Sequence, residues 1–128
     1  MAYTEMIGGH PREHFRARLG KPAYNISCLI SDESESVQAA GFNWIRRGLE
    51  PRKTPLDLPT SYGLKHVLER QTGIYLSNNA FKDAMLICGY QPADYSELNW
   101  RFGVSLRSLA LKTDDGRYHD EPPDWLRS

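Results

Sequence analysis

The sequence has no excess of charge of either sign, since sixteen basic and sixteen acidic residues give a formal net charge of zero. Proteins that bind nucleic acid through its phosphates usually carry an excess of lysine and arginine, so this balance lowers the expectation of DNA binding. It also argues against an acidic chain that mimics a DNA duplex. Two segments, 10–21 and 46–53, are locally basic. They are compatible with an ordinary solvated surface or with a basic rim.

Cysteines are few and long apolar runs are missing. Cys28 and Cys88 each lie in an apolar stretch, where a thiol packs as a small hydrophobic group and is inert. No run approaches the length that crosses a bilayer, and no signal-peptide pattern opens the chain. We therefore expect a cytoplasmic protein with reduced thiols and no membrane contact.

Motifs for catalysis and cofactor binding are missing as well. The chain has neither a glycine-rich phosphate loop nor a dinucleotide-binding fingerprint. His10 and His14 have the spacing of two ligands on one helical face, but no third ligand is evident nearby. We predict no metal, no cofactor and no enzymatic activity. A small enzyme with His66 as general base is kept as an alternative.

The composition is that of one globular domain covering residues 1–128. Its apolar content of 40% and aromatic content of 11% are enough for a packed core at this length. Residues 1–9 and about 114–128 are predicted to be loose tails. Three prolines in 51–59 exclude a helix there, and we interpret this segment as an internal linker.

Helical periodicity is visible in the N-terminal half. A short helix is predicted over Pro11–Leu19, and the apolar stretch 23–30 suits either a strand or the approach to a second helix. That second helix is expected to begin with Ser31 or Asp32 as its cap and to continue to Leu49, because apolar residues recur at helical spacing.

The stretch 60–89 carries the clearest pattern, two capped amphipathic helices joined by a short turn. The first is predicted to start near Thr60 or Ser61 and to stop at Gly73. The second is predicted to start at the cap Ser77 and to stop at Gly89, with an apolar face of Phe81, Ala84, Met85 and Cys88. Such a unit resembles a helix-turn-helix motif.

Beyond Gly89 the period changes. Trp100, Phe102, Val104 and Leu106 alternate with polar or small residues, which predicts a half-buried strand. From Ser105 onward both a helix and a strand are compatible with the sequence. The predicted fold class is thus α+β, mainly helical, with a central helix-turn-helix-like pair and a small antiparallel β ribbon.

Several polar residues are candidates for contacts with a partner. Asparagine at the start of the second helix of the pair could meet adenine in a major groove, and lysine or arginine could meet phosphates. Lys65 and Glu69 are four residues apart and should pair on the surface. Most of the aromatic residues in and around the helix pair are expected in the core or as staples, although tyrosine, tryptophan and arginine also dominate protein interfaces: Tyr62, Tyr75, Tyr90, Trp44 and Trp100. The candidate contact residues are Arg46, Arg47, Lys65, His66, Ser77, Asn78, Asn79, Lys82 and Arg101.

The run SYGLKHVLERQTGIYLSNNAF at 61–81, together with NWRFGVS at 99–105, resembles a family of small proteins of phages and bacterial mobile elements. The resemblance rests on the Tyr-Gly-Leu-Lys-His start, the glutamate at 69 and the Tyr-x-Ser-Asn at 75–78. It implies a place among accessory genes, where regulators and inhibitors of host defence are common, and it assigns no role to any residue.

Two functional hypotheses follow. The first is a non-enzymatic protein that binds a host protein or ribonucleoprotein complex, in its most specific form an inhibitor of a host defence complex such as a CRISPR effector. The second is a winged helix-turn-helix transcriptional regulator with DNA as its partner. In that case the 99–107 ribbon would be the wing, with Arg101 and Arg107 on phosphates.

Overall fold

The computed structural model describes residues 6–7, 10–11 and 29–127. Two strands of two residues each, β1 (Met6–Ile7) and β2 (His10–Pro11), pair antiparallel. A 3-10 turn at Ile30–Asp32 precedes the helices. The helices are α1 (Glu35–Gly48), α2 (Ser61–Thr72), α3 (Asn78–Ile87), α4 (Leu109–Thr113) and α5 (Asp124–Arg127).

The N-terminal predictions fall mostly outside the described residues. Pro11, the expected start of a helix, belongs to β2, and residues 12–19 are not described. The same holds for 23–28 of the apolar stretch, including Cys28. Its last two residues, Leu29 and Ile30, are buried and lead into the 3-10 turn.

Local capping chemistry explains where the helices begin and end. Ser77 caps α3 by accepting a hydrogen bond from the Ala80 amide, as predicted, and Gly73 ends α2 with φ +77°. The predicted cap of α1 is wrong: Ser34 caps this helix by accepting from Val37 N. Asp32 instead closes the preceding turn, because its carboxylate accepts from the amide of Leu29 at 3.0 Å.

Helix α3 forms the centre of the core. Its residues 80–86 are all buried, and the helix packs against α1, α2 and the 3-10 turn. Trp44 of α1 meets Phe81 edge-on with ring centroids 6.3 Å apart. A helix that is buried all round is surrounded by other elements and presents no broad face to solvent.

The predicted β ribbon is wrong, although the alternation predicted burial well. Trp100, Phe102 and Val104 are buried, whereas Leu106 is 59% exposed. Within residues 29–127 the extended segment 100–104 makes isolated bridges to Pro51, Thr60 and Pro92. Proline has no N–H for a ladder, so two of these three segments cannot continue the pairing. Residues 29–127 therefore contain helices and no sheet, and the α+β class is replaced by a mainly helical one.

After residue 105, helix α4 occupies Leu109–Thr113, and no strand forms among the described residues of this region. The C-terminal helix α5 packs on α1, where a side chain at Gly48 would come within 2.6 Å of the Trp125 ring. Trp125 also donates its indole N–H to Thr113 Oγ1 at 3.0 Å. In the part of the chain that is described, no helix is both long and apolar enough to cross a membrane.

Candidate functional site

The side of α2 that points away from the core carries a compact polar and aromatic group. The Lys65 ammonium lies 2.9 Å from Glu69 Oε2, and His66 Nδ1 lies 2.9 Å from Glu69 Oε1. Spacings of three and four residues place these side chains next to each other, opposite the apolar residues of the helix. We call Tyr62, Lys65, His66, Glu69 and Tyr75 the tyrosine face.

The charged pair at the centre of the tyrosine face is buried. Lys65 and Glu69 are only 5% and 6% exposed. The Lys65 ammonium lies 5.6 Å from the centroid of the Tyr62 ring and 4.8 Å from that of Tyr75. The prediction of a surface pair was therefore right about the partners and wrong about burial. Tyr75, which lies in the turn after α2, covers the pair, and helical spacing alone cannot show this.

The two tyrosines are far more exposed than expected. The exposed fraction is 53% for Tyr62 and 68% for Tyr75, so their predicted core or staple role is wrong. The Tyr62 ring stands edge-on to His66, with centroids 4.4 Å apart. Tyr75, Tyr118 and Glu69 line a small cleft of about 110 Å³. The result is a neutralised, buried ion pair with exposed aromatic rings around it.

The start of α3 lies beside this face, but Ser77 and Asn78 form hydrogen bonds within the fold. Asn78 accepts a hydrogen bond from Ser61 Oγ at 2.9 Å and donates to the carbonyl of Leu98 at 3.1 Å. Ser77 caps the helix, and Asn79 is half-buried. The amide that could have paired with adenine therefore connects α3 to α2 and to the loop before Trp100.

Lys82, the candidate phosphate contact, is fully buried. Its ammonium lies 4.7 Å from the centroid of the Trp100 ring and has no hydrogen-bond partner among the described residues. Loss of hydration lowers the pKa of Lys82 to about 8. A buried ammonium cannot reach DNA, and the wing expected at 99–107 does not form. The winged helix-turn-helix hypothesis thus loses the two features on which it depended.

The remaining arginine candidates lie on other elements. Arg46 sits with its guanidinium carbon 5.3 Å from the Phe42 ring centroid, and Arg47 donates to the carbonyl of Leu126 at 3.4 Å. Arg101 donates to Glu97 at 3.0 Å and lies 3.6 Å from Asp57. The hydrogen bond to Glu97 raises the pKa of Arg101. The structure therefore joins Lys65 and His66 in one site and leaves these three arginines outside it.

Cys88 and His66, a thiol and a candidate general base, lie at the end of α3 and in α2. Burial raises the pKa of the Cys88 thiol to about 11, which leaves it neutral and inert. His66 does not line the clefts of about 410, 310 and 110 Å³ that other described residues form. In that same part of the chain, no group of three or more His, Cys, Asp or Glu could hold a metal ion.

The sequence carries a signal for the exposure of Tyr62. Tyr62 precedes His66 and Glu69 by four and seven residues, so it shares their helical face rather than that of Leu64 and Leu68. No comparable signal exists for Tyr75 or Tyr118, which lie in irregular segments.

Comparison of the chain with protein-family models, with curated proteins and with solved structures finds no match.

Proposed function

We propose that this protein is a non-enzymatic binding module of a phage or mobile element that attaches to a host protein through the tyrosine face. The most specific form of the proposal is an inhibitor of a host defence complex. One observation carries it: the exposed rings of Tyr62 and Tyr75 flank a buried, mutually neutralised Lys65–Glu69 pair.

A protein partner suits this chemistry better than a nucleic acid does. Tyrosine is enriched among the residues that dominate protein interfaces, because it offers a large, rigid contact area together with a hydroxyl group. The positive charge of Lys65 is already matched by Glu69 at 2.9 Å. Phosphates would find no free cation at the centre of this face, whereas a protein surface could cover it without leaving a buried charge unpaired.

The tyrosine face overlaps the stretch that carries the resemblance to mobile-element proteins, although the resemblance itself assigns no role to these residues. Most of the residues that carry the resemblance at 61–78 either form the tyrosine face or hold it in place. Tyr62, Lys65, His66, Glu69 and Tyr75 form it, and Asn78 connects the two helices next to it. The genomic setting that the resemblance implies is one in which regulators and inhibitors of host defence are common, and we choose a complex of the host's defence as the partner.

The proposal is tested by coexpression with a panel of host defence systems, followed by phage plating and by binding to the purified complex of any system that is inhibited. We expect the wild-type protein to inhibit at least one system. The double variant Tyr62→Ala/Tyr75→Ala should bind at least about 30-fold more weakly, the loss expected for one hot-spot residue or more.

Leu106→Ala is the matched control, since Leu106 is an equally exposed apolar residue on a different segment. It should bind and inhibit like the wild-type protein, and urea unfolding should show that both variants are folded. Failure to inhibit any system of the panel would overturn the proposal. So would a tyrosine variant that binds as tightly as Leu106→Ala.

A further inference from the structure

A second surface is built where residues 50–52 lie against residues 103–105. The amide of Arg52 donates to the carbonyl of Gly103 at 2.8 Å, and the amide of Ser105 donates to the carbonyl of Glu50 at 2.8 Å. The approach is so close that a Cβ at position 103 would lie 2.2 Å from the Arg52 carbonyl oxygen. The backbone that carries Arg52 is therefore held in one position.

Four cations on this surface have no acidic partner among residues 29–127. Segments 46–53 and 103–108 contain five arginines and lysines and one acid, Glu50. Arg46, Arg52, Lys53 and Arg107 are all exposed, and within residues 29–127 no ion pair joins any of them to a carboxylate. We call these four residues the basic platform. By contrast, Arg70, Arg101 and Arg127 each have at least one acidic partner.

A cleft of about 310 Å³ opens beside the basic platform. It is lined by Arg46, Leu49, Pro51, Cys88, Gly89 and Tyr90. Its thiol adds no negative charge, because burial raises the pKa of Cys88 to about 11. The cleft thus combines one cation, one aromatic ring and apolar walls, a set that suits a sugar or base attached to a phosphate.

We propose that the basic platform binds the sugar–phosphate backbone of single-stranded nucleic acid without reading its sequence. Cations that have no acidic partner among residues 29–127, with Arg52 on a backbone held by Gly103, match the repeated charge of such a strand. The cleft next to Arg46 can accept a base or ribose that a single strand is free to turn outward, whereas a duplex keeps its bases stacked inside. This inference concerns a surface separate from the tyrosine face and stands independently of the protein partner proposed above.

The test is fluorescence anisotropy with a labelled mixed-sequence oligonucleotide, as single-stranded RNA, as single-stranded DNA and as a duplex. If all four cations contact phosphates, single-strand affinity should fall about 50-fold between about 50 and about 200 mM salt. Arg52→Ala and Arg107→Ala should each lower the affinity and reduce that salt effect to about 20-fold. Lys112→Ala, which removes an exposed cation outside the platform, should leave both unchanged.

Each alternative outcome is decisive. Absence of binding at about 50 mM salt with protein near 100 µM would overturn the proposal, as would a loss in Lys112→Ala equal to that in Arg52→Ala. Preference for the duplex would overturn the choice of a single strand in favour of a duplex. Equal competition by poly-glutamate would overturn it in favour of an acidic protein. Tyr62→Ala/Tyr75→Ala should bind the oligonucleotide normally, which separates this result from failure of the proposed function.

Discussion

Trp44 donates its indole N–H to the side-chain oxygen of Gln71 at 2.8 Å, and both side chains are buried. The amide nitrogen of the same Gln71 donates to the carbonyl of Ala110 at 3.0 Å. One glutamine therefore connects α1, α2 and α4 through the oxygen and the nitrogen of its side-chain amide. Each of these contacts satisfies a polar group that has no access to water.

Replacement of this glutamine should destabilise the fold more than a typical single substitution does. Gln71→Ala leaves the Trp44 indole N–H and the Ala110 carbonyl without a partner, and we expect a loss of about 2 to 4 kcal/mol in the free energy of unfolding. Urea denaturation measures it. Asn43→Ala, on the exposed side of α1, should change stability by less than about 0.5 kcal/mol. A loss below about 1 kcal/mol in Gln71→Ala would contradict this account.

The buried Lys82 should make the protein less stable than an apolar residue would. Its pKa is about 8 in the folded chain against 10.5 for the free group, so protonation at neutral pH opposes folding. A shift of this size corresponds to a penalty on the order of 3 kcal/mol. We therefore expect Lys82→Met, which keeps the length of the side chain, to raise the free energy of unfolding at pH 7.

The pH dependence gives a sharper test of the same point. Below pH 8 the penalty is present in full, and it is relieved as the pH rises from about 8 towards 10.5, because the unfolded chain then binds more protons than the folded one. The stability gap between Lys82→Met and the wild-type protein should consequently narrow over this range. Parallel profiles for the two proteins would show that Lys82 is not held as the structure places it.

Arg70 and Asp114 form two parallel hydrogen bonds, at 2.9 and 2.8 Å. The hydrogen bond to Arg70 lowers the pKa of Asp114, so this group stabilises the fold at pH values above its unfolded pKa and ceases to do so as the pH falls through its folded pKa. Asp114→Asn should cost about 1 to 3 kcal/mol at pH 7. The difference in the free energy of unfolding between Asp114→Asn and the wild-type protein should shrink in acid. A difference that stays constant down to about pH 3 would contradict this account.

Gly48 makes room for the C-terminal tryptophan. In Gly48→Ala the new methyl group would lie 2.6 Å from the Trp125 ring and 3.1 Å from Ala110 Cβ. We expect a cost of about 1 to 3 kcal/mol and a more solvent-exposed tryptophan by fluorescence. In a double-mutant cycle the same change should cost less when Trp125 is already alanine. Additive effects would mean that the contact with Trp125 does not explain the loss.

The sequence was most informative where local chemistry determines structure. Gly73 correctly indicated where α2 ends and Ser77 where α3 begins, because a left-handed residue and a capping hydroxyl act within one helical turn. The alternation at 100–104 correctly indicated burial. It could not indicate pairing, because a ladder also needs neighbouring segments that can supply backbone N–H groups, and the alternation within 100–104 says nothing about those neighbours.

The candidate site was harder to predict, because it depends on contacts between segments distant in sequence. Helical spacing identified Lys65 and Glu69 as partners, but their burial follows from Tyr75 in the next turn. In the same way Lys82 looked like an exposed residue near a helix start. Its burial follows from Trp100, which lies beyond the end of α3 and packs over it. The type and spacing of the side chains along one helix carry no information about residues of other segments that cover them.

The extended segment 100–104 is also protected from self-association. An apolar, aromatic strand with a free side would be a template on which copies of the chain could stack edge to edge. Here separate stretches meet it at successive positions, at Thr60, Pro92 and Pro51, and the two prolines lack the N–H that an incoming strand would need. The arrangement that prevents a regular sheet thus also removes a starting point for aggregation.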